Sequence, residues 1–326
     1  MGNTKHKSSS LAHSLRSIRG QQHLVTVVFM VVPLTLLVVF TVLPFIKMIQ
    51  FSFFNMKYIG RQRFIGLQNY IDVFSRDDIF GALKLSFFYM AGAVIQMALA
   101  LFLATILTSK LKGTGFFKGA IFFPYLVCGI AVGFIFKFFF THGYVFDTLL
   151  TTIGFNLNNL PYWLKDTSVN NIALAGTSVW RYLGQNMVLF IGAMMSVDSE
   201  IYEAAEIDGA NAWQKFWAVT MPGIKTMIVL NLILSISGSL SAFEPPYVIT
   251  NGAFGTATYF VTMDKIAHAN QKVGLASAMA VVLLILIILV TVVQKLVEYF
   301  LLSEDETGRT HRERRIAKKR VVEKHA

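Results

Sequence analysis

Apolar residues gather along this chain in six long stretches, near residues 24–46, 85–107, 119–140, 172–195, 224–243 and 275–302. Shorter segments richer in charge, Gly and Pro separate them. A helix needs about 20 predominantly apolar residues to cross the hydrocarbon of a bilayer, and each stretch meets that length. The pattern predicts an all-α, polytopic membrane protein with six transmembrane helices. The fifth stretch is the most diluted, by Asn231, Ser235, Ser237 and Ser239. The first follows Lys5, Lys7, Arg16 and Arg19 as a secretory signal would. Its apolar run is nevertheless longer than a signal core and lacks a clear small-residue cleavage site, so it reads as a retained span.

Composition agrees: 55% of the 326 residues are hydrophobic and only 14% charged, which excludes an ordinary soluble domain. The net charge of +11 has the size of a nucleic-acid footprint, but the basic residues sit at the ends and flanks of the apolar stretches, where membrane topology explains them. Residues 1–23 form a basic N-terminal segment, 24–302 the six-span domain, and 303–326 a tail with eight Lys/Arg against five acids. By the positive-inside rule both ends are cytoplasmic, as an even span count requires. The loop with Lys110, Lys112 and Lys118 falls on the same side. Residues 47–84 carry Lys47, Lys57, Arg61, Arg63, Arg76 and Lys84 and argue the other way; parity and both termini outweigh them. The tail reads as a disordered end or a lipid-headgroup contact. The one cysteine, Cys128, offers neither an intrachain disulfide nor a cysteine metal site.

Between the fourth and fifth stretches lies a polar segment with its own local logic. Asp198 or Ser199 can cap a short helix, Glu200 and Glu203 sit where the helix dipole favours negative charge, and Gly209 can supply the left-handed residue that ends it. A second helix is expected from near Asn211 to just before Pro222, because the residue preceding proline avoids the helical region. The product is a helix-turn-helix knob. Ala204, Ala205 and Asp208 leave a low-relief face between Glu203 and Glu206. On spacing alone, an interfacial hairpin that merely links two spans is the alternative.

The same segment, residues 200–223 with Glu203-Ala204-Ala205, Gly209 and Pro222 in register, resembles the cytoplasmic EAA coupling loop of ABC-type importer permeases. Val219 and Met221 stand where that pattern prefers Ile and Leu. Phe64-x-Gly66-Leu67-x-Asn69-Tyr70 with Phe74, Phe123-Pro124-Tyr125, Gly143 with Asp147 and Leu149, and Trp180 resemble landmarks of the carbohydrate-uptake subgroup. The resemblance implies a type I importer permease in a bacterial or archaeal plasma membrane. It also implies a second related permease, two cytoplasmic ATPase subunits that bind ATP and Mg, and an extracytoplasmic solute-binding protein. The coupling loop, with Glu203, Ala204, Ala205, Asp208, Gly209 and Pro222, would dock on the ATPase.

No Gly-Lys dipeptide occurs, so no Walker A phosphate loop can be written and ATP hydrolysis is expected elsewhere. No cofactor or metal is expected in this chain. For a translocation surface, Asn231, Ser235, Gly238 and Ala242 recur at helical spacing with Ser239 beside them. Such a face either packs on a neighbouring helix or lines a wet path. Phe243, Glu244 and Tyr247 cluster around Pro245 and Pro246, which must break the helix, and an acid beside aromatics suits a sugar; an interfacial aromatic belt is the alternative. Gln185 and Asn186 offer paired donors and acceptors from the fourth stretch, where Arg181 either snorkels or pairs with an acid. Gly129 and Gly133 read as helix packing. A neutral oligosaccharide fits this set, with glycerol phosphate or a polyamine as alternative solutes. A secondary transporter would need intramembrane ionisable groups that the spans scarcely contain.

Overall fold

The computed structural model describes residues 18–109, 112–296 and 299. The basic tail at 303–326, most of the N-terminal segment and Lys110 lie outside them. The first span is α1 (Ile18–Leu37), a π turn (Val38–Val42) and α2 (Leu43–Phe51) in one continuous helix. A two-residue ribbon, β1 (Phe54–Asn55) with β2 (Arg63–Phe64), is the only strand pairing among the described residues. Next come α3 (Gln68–Ser75), α4 (Asp77–Phe80) and α5 (Ser86–Thr108). Helices α6 (Thr114–Leu126) and α7 (Gly129–Phe139) precede the short α8 (Val145–Thr152) and the long α9 (Asn170–Met195). The remainder is α10 (Ser199–Ile207), α11 (Ala212–Lys215), α12 (Met221–Leu240), α13 (Glu244–Thr250), α14 (Tyr259–His268) and α15 (Val273–Leu296).

Four of these segments are long and apolar enough to cross a membrane: Val25–Phe51, Asp77–Thr108, Ala212–Thr250 and Val273–Leu296. The third expected span is not straight. Helices α6 and α7 meet at 97° across Val127 and Cys128, and the two together make a fifth crossing if counted as one. Val127 and Cys128 are extended, with ψ of 134° at each, and the turn is closed by Val127 N–H donating to Pro124 O. The fourth expected span, α9, has 26 residues and is about 39 Å long, but Arg181, Gln185 and Asn186 make it too polar to meet the same measure. Its packing accounts for that. Helix α9 is touched by α5, α6, α7, α12 and α13, and a helix walled in by other helices need not present an apolar surface to lipid all round.

Small side chains bring these helices together. In α5, Ala100 and Ala104, one turn apart, pack with Met187, Phe190, Ile191 and Met194 of α9, and Ile224 of α12 closes the cluster. Lipid tails are as apolar as these side chains, so the gain is close van der Waals packing rather than removal from water. At the other end of the molecule, Asn69 is 5% exposed and donates to the carbonyls of Ser52 (2.8 Å) and Phe54 (3.0 Å). Tyr70 OH meets Ser52 Oγ at 2.7 Å, and Val273 N–H donates to Met56 O at 3.1 Å. The Phe64 to Tyr70 landmark is thus a fastener between the end of the first span and the start of the last.

The second helix of the knob does not stop before Pro222, contrary to expectation. It continues through a π turn, Phe216–Thr220, straight into α12. Met221 N–H reaches back to Phe216 O immediately before the proline, and Leu43 N–H reaches back to Val38 O immediately before Pro44 in the first span. A wide turn forfeits a regular backbone bond in any case, and proline has no N–H to forfeit, so the helix passes both prolines intact.

Candidate coupling knob and solute cavity

The knob is built from strong local signals. Asp198 caps α10, its carboxylate accepting from Glu200 N–H at 3.0 Å. At the other end Gly209 has φ of 77°, its N–H donates to Glu206 O (3.0 Å) and Ala210 N–H donates to Ala205 O (2.9 Å). Those two bonds are the left-handed stop that a helix of this kind uses to satisfy its last carbonyls. Asn211 then starts α11 in a reciprocal cap with Gln214, both bonds 2.9 Å. Lys215 Nζ bridges to Glu206 Oε1 at 2.7 Å, and Tyr202 OH meets Thr220 Oγ1 at 3.0 Å, so the two helices are tied twice. Glu203, Ala204, Asp208 and Pro222 are exposed, with Ala205 half-buried beside them. Ile207, Trp213 and Trp217 are also exposed, a large apolar set that the sequence reading passed over.

A cavity of about 530 Å³ opens between α5, α9 and α12. Its walls take Gln185 and Asn186 from α9, Asn231, Ser235 and Ser239 from α12, and Phe243 with Glu244 from the break that follows. Two of the polar groups are partly spent on their own helix: Asn231 Nδ2 donates to Met227 O (3.1 Å) and Ser239 Oγ to Ser235 O (2.7 Å). Tyr247 is not in the wall; its ring stacks on Phe243 with centroids 4.6 Å apart. Prolines 245 and 246 do mark the break, and they open the first turn of α13, the position where a missing N–H is harmless.

Glu244 is the one charged residue among the described cavity walls, and it is ion-paired with Arg181 of α9. Arg181 also lies over the Tyr182 ring, 5.1 Å from its centroid. The carboxylate is seated against Gly129, where a Cβ would overlap it, and one turn on a Cβ at Gly133 would lie 2.6 Å from Val248. These two glycines therefore do pack a helix, α7, against α13. The sequence reading missed the α5 wall of the cavity, made by Tyr89, Gly92, Ala93 and Gln96. Its only trace in the sequence is a pair of polar positions seven residues apart, Tyr89 and Gln96. It also left Asp147 as a landmark only; the side chain is fully buried, accepts from Trp163 Nε1 and Gly143 N–H (each 2.6 Å), and pins the segment after α7.

Residues 96–301 match the family described as binding-protein-dependent transport system inner membrane component. The chain belongs to that family. This permease is 31% identical over 265 residues to the probable starch degradation products transport system permease protein AmyD of Thermoanaerobacterium thermosulfurigenes, covering 79% of this chain and 88% of that one. It is 29% identical to the arabinooligosaccharides transport system permease protein AraP of Bacillus subtilis, over 72% of this chain and 76% of the relative. Among solved structures, a bacterial ABC transporter involved in the import of the acidic polysaccharide alginate aligns with a TM-score of 0.75 at 17% identity, covering 84% of this permease and 95% of that chain. The fold is that of a type I ABC importer permease, in an inner membrane and crossing it several times.

Proposed function

We propose that this permease forms one half of an import path for a neutral oligosaccharide and couples that path to a separate ATPase. The observation that carries the reading is the cavity, whose walls offer amides, hydroxyls and aromatic rings while their single charge is held by Arg181. Sugar hydroxyls suit such a set; a phosphate ester or a polyamine would ask for unpaired charge that the cavity walls do not carry. The starch-product and arabinooligosaccharide permeases to which this chain is similar point to the same solute class. A solved neighbour in complex with a sugar-loaded periplasmic protein supports an extracytoplasmic binding protein as partner. The remaining partners are a second related permease and two ATPase subunits that carry ATP and Mg. The knob from Asp198 to Pro222 is the lever, with α9 as the sixth crossing and both chain ends cytoplasmic.

One comparison tests the division of labour. Ser235→Leu fills the cavity with an isobutyl group, so the complex is expected to assemble with its ATPases and to lose uptake of neutral oligosaccharides. Gly209→Val opposes the left-handed stop by about 1 kcal/mol or more and is expected to weaken ATPase association and uptake together. Normal uptake by the Ser235 variant removes the cavity from the path, and loss of assembly makes that face a packing surface. Orientation is read separately, in a Cys128→Ser background on intact cells. An impermeant thiol reagent is expected to label a cysteine at the exposed Asn158 and to spare one at Lys319; the reverse pattern inverts the topology.

A further inference from the structure

We infer that Gln96 is a solute-binding residue of the cavity, its carboxamide exchanging hydrogen bonds with hydroxyls of the transported sugar. The inference rests on the import reading above and adds to it a wall that neither the coupling knob nor the α12 face supplies. On α5 the cavity is lined by Tyr89, Gly92, Ala93 and Gln96, the i, i+3, i+4, i+7 set that makes one helical face. The outer face of the same helix, with Val94, Ile95 and Leu99, is apolar and exposed. Gln96 is 5% exposed, and because it stands on the cavity face, the surface it keeps opens inward.

The amide is both unspent and reachable. It makes no hydrogen bond among the described residues, yet neither its Oε1 nor its Nε2 is one of the sealed, unpartnered atoms of the chain. The hydroxyls of Tyr89 and Ser86 on the same helix are sealed in that way, which leaves Gln96 as the polar group through which α5 can reach a solute. Asn186 of α9 has the same character: it is 6% exposed, lines the same cavity and makes no side-chain hydrogen bond among the described residues. Two neighbouring walls therefore each present a free carboxamide. Gln96 lies near the middle of the 23-residue α5, deep in a span, where a polar group without a partner is costly and is kept where it meets one. Helix packing would have supplied that partner from α9 or α12, and neither does. A carboxamide has two N–H donors and an acceptor oxygen, the counterpart of a sugar hydroxyl that itself donates and accepts.

The test uses the complete importer in ATP-loaded proteoliposomes, with maltotriose, lactose, trehalose and arabinotriose as probes. Maximal uptake rate, half-saturating sugar concentration, melting temperature of the solubilised complex and yield of the co-purified second permease are measured for wild type, Gln96→Met, Thr105→Val and Ser235→Leu. Methionine keeps the length of the side chain and loses the amide. It is expected to slow maximal uptake of the accepted sugar about twofold to tenfold, the range for one neutral hydrogen bond. Half-saturation is expected to stay unchanged, because the binding protein captures the sugar before it reaches the cavity. Melting temperature and yield are expected to be unchanged or higher, since the amide holds nothing in the chain. Thr105, also on α5, spends its hydroxyl on Leu101 O at 2.8 Å and is not in the wall, so Thr105→Val is expected to transport as wild type does. Wild-type uptake by Gln96→Met beside a blocked Ser235→Leu overturns the inference and leaves the cavity in the path, whereas wild-type uptake by both removes cavity and Gln96 together. A Gln96→Met complex that melts lower or loses its second permease overturns the inference in favour of a contact with that partner. Should wild type accept none of the four sugars, the neutral-oligosaccharide reading fails first and the role of Gln96 falls with it.

Discussion

Replacing Glu244 with alanine is expected to destabilise the assembled permease by about 3 kcal/mol, because it leaves the Arg181 guanidinium without its counter-charge in a low-dielectric setting. The Arg181 side chain is only 16% exposed and its Nε already lacks a partner, so little solvent is at hand to replace the carboxylate. The Glu244 side chain is 42% exposed, toward the cavity, which places the loss at the lower end of the range for a broken buried pair. Arg181→Met alone is expected to cost less, because the stranded acid is 42% exposed and keeps part of its solvation. The double variant Arg181→Met with Glu244→Gln is expected to recover most of the loss, since removing both charges also removes the cost of desolvating them. Melting of the detergent-solubilised complex measures all three. If the single variants melt with wild type, the pair is only a surface contact and does not hold α9 to α13.

Gly184→Val is expected to prevent accumulation of the permease in the membrane. A Cβ at Gly184 would fall on the backbone of α6, 2.6 Å from Phe122 Cα and inside the Ile121 carbonyl. A crowded side chain can rotate away, but a crowded backbone moves only with its helix. The cost is therefore expected at or above the usual limit for overpacking, about 3 kcal/mol. Gly176 lies on the same helix with nothing within 4 Å of its own Cβ position, so Gly176→Val is the matched control. Immunoblots of membrane fractions that show equal amounts of the two variants would mean that α9 and α6 do not cross this closely.

Much of this architecture was legible because lipid imposes a simple code. An apolar run near 20 residues has few outcomes other than a span, and the caps at Asp198, Gly209 and Asn211 are local signals that carry their own geometry. What the chain concealed depends on which faces meet. The bend at Val127 and Cys128 arises where Gly129 yields space to Glu244, more than a hundred residues later, and periodicity cannot report that encounter. Pro222 misled for a different reason. Proline was read as a stop, but a π turn supplied a way through, and the hydrogen-bond register that decides between them is not written in residue type. Within the cavity, Asn231, Ser235 and Ser239 announced themselves by recurring at one helical spacing. Tyr89 and Gln96 did not, because two polar residues on an apolar span are commonplace and only the opposing helices make them neighbours.

The corner between α6 and α7 bears on how the chain is made. With 13 and 11 residues, the two halves are about 20 Å and 17 Å long, so neither crosses the hydrocarbon unaided, and extended backbone at their junction cannot stay in contact with lipid. The helices packed against its two halves are α9 and α13, and the second is complete only at Thr250. While the ribosome is still adding those residues, the corner has no permanent shelter. Its integration is therefore expected to wait for them or for a chaperone, so that biogenesis of this permease does not proceed strictly one span at a time.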